Sequence, residues 1–218
     1  GESGVFDYEK IEDLAHEIHK FTKQNSLSLA VVVGAGNLWR YRDNSHLSLS
    51  RVLSDQLGML STNYNAILLS VALKSVGAKS TVYSAFGNSK MIRDYEPKVA
   101  KVALDDNHIV VLAGGTGNPY CTTDLASVLR ALELECQVVF KATNVDGVYD
   151  KDPNQYSDAK RFATLSFTKA LELDLKVMDR SAFGMAMEND LPLLVFDFSK
   201  SNSLQNVYEN HSIATLVS

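Results

Sequence analysis

Residues 109–134 read IVVLAGGTGNPYCTTDLASVLRALEL, and two changes of pattern within them decide the fold. Ile109 to Ala113 is a continuous apolar run of strand length, which predicts a strand buried on both faces. It runs into the glycine-rich turn Gly114-Gly115-Thr116-Gly117-Asn118-Pro119, and helical patterning returns over Asp124 to Leu134. Strand, glycine turn and helix in that order form the unit of a parallel α/β sheet, whose ligands bind outside the carboxyl ends of the strands.

The alternation continues in both directions. Ile11, Leu14, Ala15, Ile18 and Phe21 recur at helical spacing behind Asp7, a plausible N-cap. Leu27 to Val33 predicts a buried strand that stops at Gly34-Ala35-Gly36-Asn37. A helix follows around Leu57 to Val71, then a strand over Ser80 to Ala85 and a charged helix over Val99 to Leu104. Downstream, Val138 to Ala142 predicts a strand, followed by a polar loop at Asp150-Lys151-Asp152-Pro153 and helices near Thr168 to Leu173 and Met178 to Asn189. Leu193 to Phe196 and Ala214 to Val217 complete the strands. No linker or repeat interrupts the 218 residues, so the expected architecture is one α/β domain with two lobes and a mainly parallel sheet covered on both faces.

Composition narrows the function. Hydrophobic residues make up 45% and charged residues 22%, the balance of an ordinary folded globule. Twenty-one Lys and Arg against 26 Asp and Glu give a net charge of −5, which argues against a nucleic-acid or anionic-membrane partner and leaves room only for small, local phosphate binding. Cys121 and Cys136 have no C-x-x-C spacing or His cluster, so neither a disulfide framework nor a metal site is expected, and no metal ligand is assigned. With no membrane-spanning apolar run and no signal-peptide pattern at Gly1-Glu2-Ser3-Gly4, a soluble cytoplasmic protein is the expectation, and the sequon Asn210-His211-Ser212 reads as chance. The absence of an initiator Met suggests a chain that begins inside a longer one.

Two strand ends are rich in glycine. At Gly34-Ala35-Gly36-Asn37 small residues let backbone N–H groups approach an anion, with Arg40 just beyond as a fixed positive charge. At Gly114 to Asp124, glycines, three hydroxyls and a carboxylate precede a helix. There Thr122 and Thr123 could bond phosphate oxygens while Asp124 caps the helix, orients a cation or orders a catalytic side chain; a plain Thr/Asp helix cap is the alternative. There is no G-x-x-x-x-G-K-[ST], no complete G-x-G-x-x-G and no G-x-S-x-G, which removes Walker ATPases, Rossmann dehydrogenases and α/β-hydrolases. Asp150, Asp152 and Asn154 begin like an EF-hand loop but lack its sixth-position Gly and twelfth-position Glu. None of His16, His19, His46, His108 and His211 has catalytic spacing.

Together VVVGAGNLWR (31–40), SDQLGMLSTNYNA (54–66), GTGNPYCTTD (115–124), KATNVDGVYDKDP (141–153) and LKVMD (175–179) resemble the bacterial UMP kinases of the amino acid kinase superfamily, in order and across nearly the whole chain. The resemblance implies a three-layer αβα sandwich that transfers a phosphoryl group from ATP to UMP with Mg²⁺ and assembles as a homohexamer. It also implies possible activation by GTP and inhibition by UTP. It implies a UMP-binding part at roughly 1–140 and an ATP-binding part at roughly 141–200. Residue by residue, it implies that Asp55 binds the ribose and that Thr116, Gly117, Asn118, Pro119, Tyr120, Cys121, Thr122 and Thr123 wrap UMP, with Ala35 where backbone approaches it. Gly1, Gly36, Arg40, Thr143, Tyr149 and Asp152 match ATP contacts, and Asp124 and Arg40 the catalytic pair; the alternative for Asp55 is an N-cap on the helix after it.

Three departures accompany the match. Gly1-Glu2 look like the end of the family's Lys-x-Ser-Gly-Glu motif, which places its phosphoryl-binding Lys upstream of Gly1, and the loop after Ser3 looks several residues short. Ala35 stands where Gly is usual and would perturb the site if φ there must be positive. Asn144 stands where Lys is frequent and Cys121 where an aromatic is usual, which bears on nucleotide preference. The rivals are a superfamily member acting on a carboxylate or carbamate, a catalytically silent nucleotide-binding subunit, and a structural scaffold.

Overall fold

The computed structural model describes residues 7–86 and 90–218, so Gly1, assigned to ATP by resemblance, lies outside the described residues. Its contacts divide the chain into two compact units, Gly1–Ala126 and Ser127–Ser218.

In the first unit β1 (Ala30–Val32), β2 (Ser80–Ser84), β3 (Arg93–Asp94) and β4 (Ile109–Ala113) form a parallel sheet in the order β1-β4-β2-β3. Strand β4 pairs on both sides and is buried throughout, which is why it reads as an unbroken apolar run. Helix α1 (Tyr8–Asn25) starts where the Asp7 carboxylate accepts the Lys10 N–H at 3.2 Å, and it buries Ala15, Ile18 and Phe21. Helix α2 (Arg51–Ser75) starts at Ser50, whose hydroxyl accepts the Leu53 N–H at 3.2 Å, and α3 (Pro97–Asp105) starts at a proline that has no N–H to leave unsatisfied. The carboxyl ends of β1, β2 and β4 lead directly into the segments that form the site.

In the second unit β5 (Val139–Thr143), β6 (Thr164–Leu165), β7 (Leu193–Asp197) and β8 (Thr215–Val217) are ordered β5-β7-β8-β6. Strand β8 runs antiparallel to β7, while the β5–β7 and β6–β8 pairs are parallel. Leu193 to Phe196 are buried, as their apolar run requires. Helices α5 (Phe167–Glu172), α6 (Arg180–Glu188) and α7 (Ser203–Glu209) belong to this unit, and the division between units falls inside α4 (Thr123–Glu133). The mixed α/β architecture with parallel pairing is the one expected. Strands β3 and β6 and helix α7 were not expected.

Candidate active site

The loop after β4 needs glycine where it turns. Gly114 has φ +74°, and a Cβ there would overlap the Phe86 amide nitrogen and lie 2.6 Å from Ser84 Oγ. The Gly114 N–H donates to Thr62 Oγ1 at 2.6 Å, and the Gly117 N–H closes the turn on the Gly114 carbonyl at 2.9 Å. At the far end the Leu125 N–H donates to Thr122 Oγ1 at 3.0 Å, so Thr122 caps α4 and Asp124 sits in its first turn. Of the roles open to these residues, the cap falls to Thr122 and not to Asp124.

One face of α2 ties this loop to the loops after β1 and β2. Ser54, Asp55, Gly58, Thr62 and Asn65 recur at helical spacing. Ser54 Oγ accepts the Trp39 indole N–H at 2.9 Å, and Asn65 donates to the Gly34 carbonyl at 2.7 Å and to Asn37 Oδ1 at 2.8 Å. Asn63 donates to the Phe86 carbonyl at 2.7 Å and accepts the Ser84 hydroxyl at 2.7 Å. Asp55 lies inside α2 rather than at its start, which overturns the N-cap alternative. Its carboxylate accepts Arg51 Nε–H at 2.8 Å and the Tyr120 N–H at 2.8 Å.

A cavity of about 320 Å³ opens among these loops in the first unit. Of the expected residues, Ala35, Gly36, Arg40, Asp55, Thr116, Asn118, Cys121, Thr122 and Thr123 line it; Gly117, Pro119, Tyr120 and Asp124 do not. Trp39, Tyr41, Arg51, Ser54, Gly58, Met59, Thr62 and Gly115 complete the wall. Ala35 is buried and is not among the residues with positive φ, so its methyl carries no backbone strain. Arg40 Nε donates to the Gly36 carbonyl at 2.7 Å, and a Cβ on Gly36 would come 2.7 Å from the Arg40 guanidinium. Gly36 therefore leaves the space that the Arg40 side chain fills. Arg40 and Arg51 give this wall two cations against the Asp55 carboxylate, a balance suited to an anionic ligand that also carries hydroxyls. Of the wall residues that sequence reasoning missed, Arg51 is the charged one; its only signal was an ordinary Arg–Asp spacing of four on a helix.

The remaining expected residues lie in the second unit. Thr143 ends β5, where its hydroxyl donates to the Val145 carbonyl at 2.6 Å and accepts the Val145 N–H at 3.0 Å. Tyr149 donates to Asp146 Oδ1 at 2.6 Å, and this bond, with burial second, raises its phenol above the usual tyrosine range. Asp152 accepts from the Asn154 N–H at 2.9 Å and from Gln155 Nε2 at 2.9 Å, a self-bonded turn of the kind a polar loop forms. A second cavity, about 220 Å³, is lined by Asp146, Arg161, Phe196, Asp197, Lys200, Ser203, Asn206, Val207 and Ile213. The Ser199 hydroxyl and then its N–H hold the Asp197 carboxyl below the usual carboxylate range. Among the described residues no three His, Cys, Asp or Glu side chains gather to hold a metal ion.

A model of the amino acid kinase family matches residues 1–197. The uridylate kinase of Xanthomonas oryzae pv. oryzae is 39% identical over 217 residues, covering 100% of this chain and 90% of that protein. That of Rickettsia typhi is 38% identical over 211 residues, covering 97% and 86%. Among solved structures, UMP kinase from Ureaplasma parvum superposes with a TM-score of 0.95 at 35% identity, covering 100% of this chain and 92% of that one. UMP kinase from Bacillus anthracis gives a TM-score of 0.92 at 29% identity, covering 97% and 87%.

Proposed function

This chain belongs to the amino acid kinase family, and we propose that it transfers the γ-phosphoryl group of ATP to UMP, giving UDP and ADP. The observation that carries the reading is the first unit's cavity, where Asp55, the hydroxyls of Thr116, Thr122 and Thr123, and Arg40 converge at the carboxyl ends of the strands. End-to-end similarity to uridylate kinases supports the choice of acceptor.

In this reading the UMP phosphate sits by Thr122 and Thr123 at the start of α4, where the helix dipole favours an anion. Asp55 accepts the ribose hydroxyls. One phosphate oxygen of UMP attacks the γ-phosphorus as the bond to the bridging oxygen breaks, and no covalent enzyme intermediate is needed. Arg40 offsets charge on the transferring group, and Asp124 orders the reacting centre. On the donor side Gly36 and Arg40 in the first unit, and Thr143, Tyr149 and Asp152 in the second, are assigned to ATP, with a UMP part at roughly 1–140 and an ATP part at roughly 141–200. Mg²⁺, taken to arrive on the nucleotide phosphates, would supply further charge neutralisation when bound.

Assembly as a homohexamer, a response to GTP or UTP, a place in pyrimidine nucleotide synthesis and a cytoplasmic setting belong to the same proposal. Self-association is supported by the exposed stripe Leu53, Leu60, Tyr64 and Val71 along α2. No helix among the described residues is long and apolar enough to cross a membrane. Incubation with γ-labelled ATP, Mg²⁺ and UMP tests the activity: label recovered in UDP is expected, and label recovered only in inorganic phosphate or ATP rejects it.

A further inference from the structure

We propose that Arg51 is a positioning residue of the acceptor site, setting its preference for ribonucleotides over deoxyribonucleotides by holding the Asp55 carboxylate and the Tyr120 loop in place. This rests on the reading of UMP as acceptor and of Asp55 as the group that meets its ribose. Arg51 Nε lies 2.8 Å from both Asp55 oxygens, and Asp55 Oδ2 also accepts the Tyr120 N–H at 2.8 Å. The guanidinium carbon lies 4.9 Å from the Tyr41 ring centroid and 5.6 Å from that of Tyr120, within cation–π range. A single side chain thus joins the first turn of α2 to the segment after β1 and the loop after β4. Tyr120 has φ +66°, unusual for an aromatic residue, and its amide is fixed by the carboxylate that Arg51 holds.

Within α2 itself Arg51 is poorly placed. It is the first residue of α2, where the macrodipole disfavours a cation and no acidic residue occupies the first turn. Its ion pair with Asp55 runs cation first, the weaker order at a spacing of four. What the position does provide is orientation: the pair fixes the Asp55 side chain, whose surface is mostly buried, before any ligand arrives. Without Arg51 the carboxylate keeps the Tyr120 N–H, and the acceptor must complete its ordering. That loss falls hardest on an acceptor offering both ribose hydroxyls, and less on dUMP, which lacks the 2′-hydroxyl.

Steady-state rates at saturating ATP and Mg²⁺, with UMP or dUMP varied, test this in the wild type, Arg51→Met and Arg51→Lys, alongside melting temperatures. For dUMP too slow to turn over, its inhibition constant against UMP supplies the comparison. Arg51→Met is expected to raise KM for UMP by roughly tenfold or more, the scale of a lost charge-assisted hydrogen bond. KM for dUMP should rise much less, with kcat and melting temperature close to wild type. Arg51→Lys keeps the charge without the planar fork and should recover only part of the UMP affinity; it also carries the comparison if Arg51→Met does not fold. Wild-type KM in Arg51→Met, or equal rises for UMP and dUMP, overturns the proposal while leaving the kinase reading intact. A wild type that neither binds nor phosphorylates UMP overturns that reading, and this proposal with it.

Discussion

At the scale of single residues, the proposed kinase site rests on Arg40 and Asp55. Arg40 is held by the Gly36 carbonyl beside the cavity, and removing one such preorganised contact costs on the order of 10² to 10³ in rate. Arg40→Ala is expected to lower kcat by that factor in a coupled ADP assay; unchanged turnover with wild-type Mg²⁺ dependence would remove it from the chemistry. Asp55→Ala is expected to raise KM for UMP strongly, because it also releases the Tyr120 amide; normal UMP affinity with reduced stability would make Asp55 a structural residue. Arg40 was legible as a cation beside a glycine turn, whereas Asp55, inside a helical pattern, was reached only through the family resemblance. Thr122 was not separable from Asp124 as the cap, since either type fills that role. The positive φ of Tyr120 left no mark in the sequence.

Elements explain why the site holds its shape. Thr62, Asn63 and Asn65 on α2 bond the loops after β1, β2 and β4. Gly114 is where that arrangement tolerates least: Gly114→Ala adds a side chain at positive φ against the Phe86 amide. It is expected to cost on the order of 3 kcal/mol, read as a melting temperature lower by about 6–12 °C. In the second unit the pH dependence has two signs. The lowered Asp197 carboxyl contributes stability above the usual carboxylate value that is lost as pH falls through its folded value. The raised Tyr149 phenol contributes stability below the usual tyrosine value that is lost as pH rises through its folded value. Melting curves across pH should therefore show a flatter acid limb for Asp197→Asn and a flatter alkaline limb for Tyr149→Phe; limbs unchanged from wild type would contradict those assignments.

Across the whole molecule, the long apolar runs were legible because strands buried on both faces leave no polar positions, as in β4 and β7. Two-residue strands such as β3 and β6 have no period to read, and the order β1-β4-β2-β3 is set by packing between distant segments. The reversal of β8 against β7 was equally hidden, since a three-residue strand looks the same in either direction. A site assembled from three loops and one helix face makes ligand binding a property of the fold, so UMP at 100 Kd should add about 2.7 kcal/mol of stability. The most direct test of the central claim is ADP release with ATP and Mg²⁺, comparing UMP with CMP, dUMP, carbamate, acetylglutamate and aspartate as acceptors. Release that depends on UMP and not on the carboxylate or carbamate acceptors is the expected result; binding of UMP without ADP release from any acceptor would contradict it and leave a silent nucleotide binder.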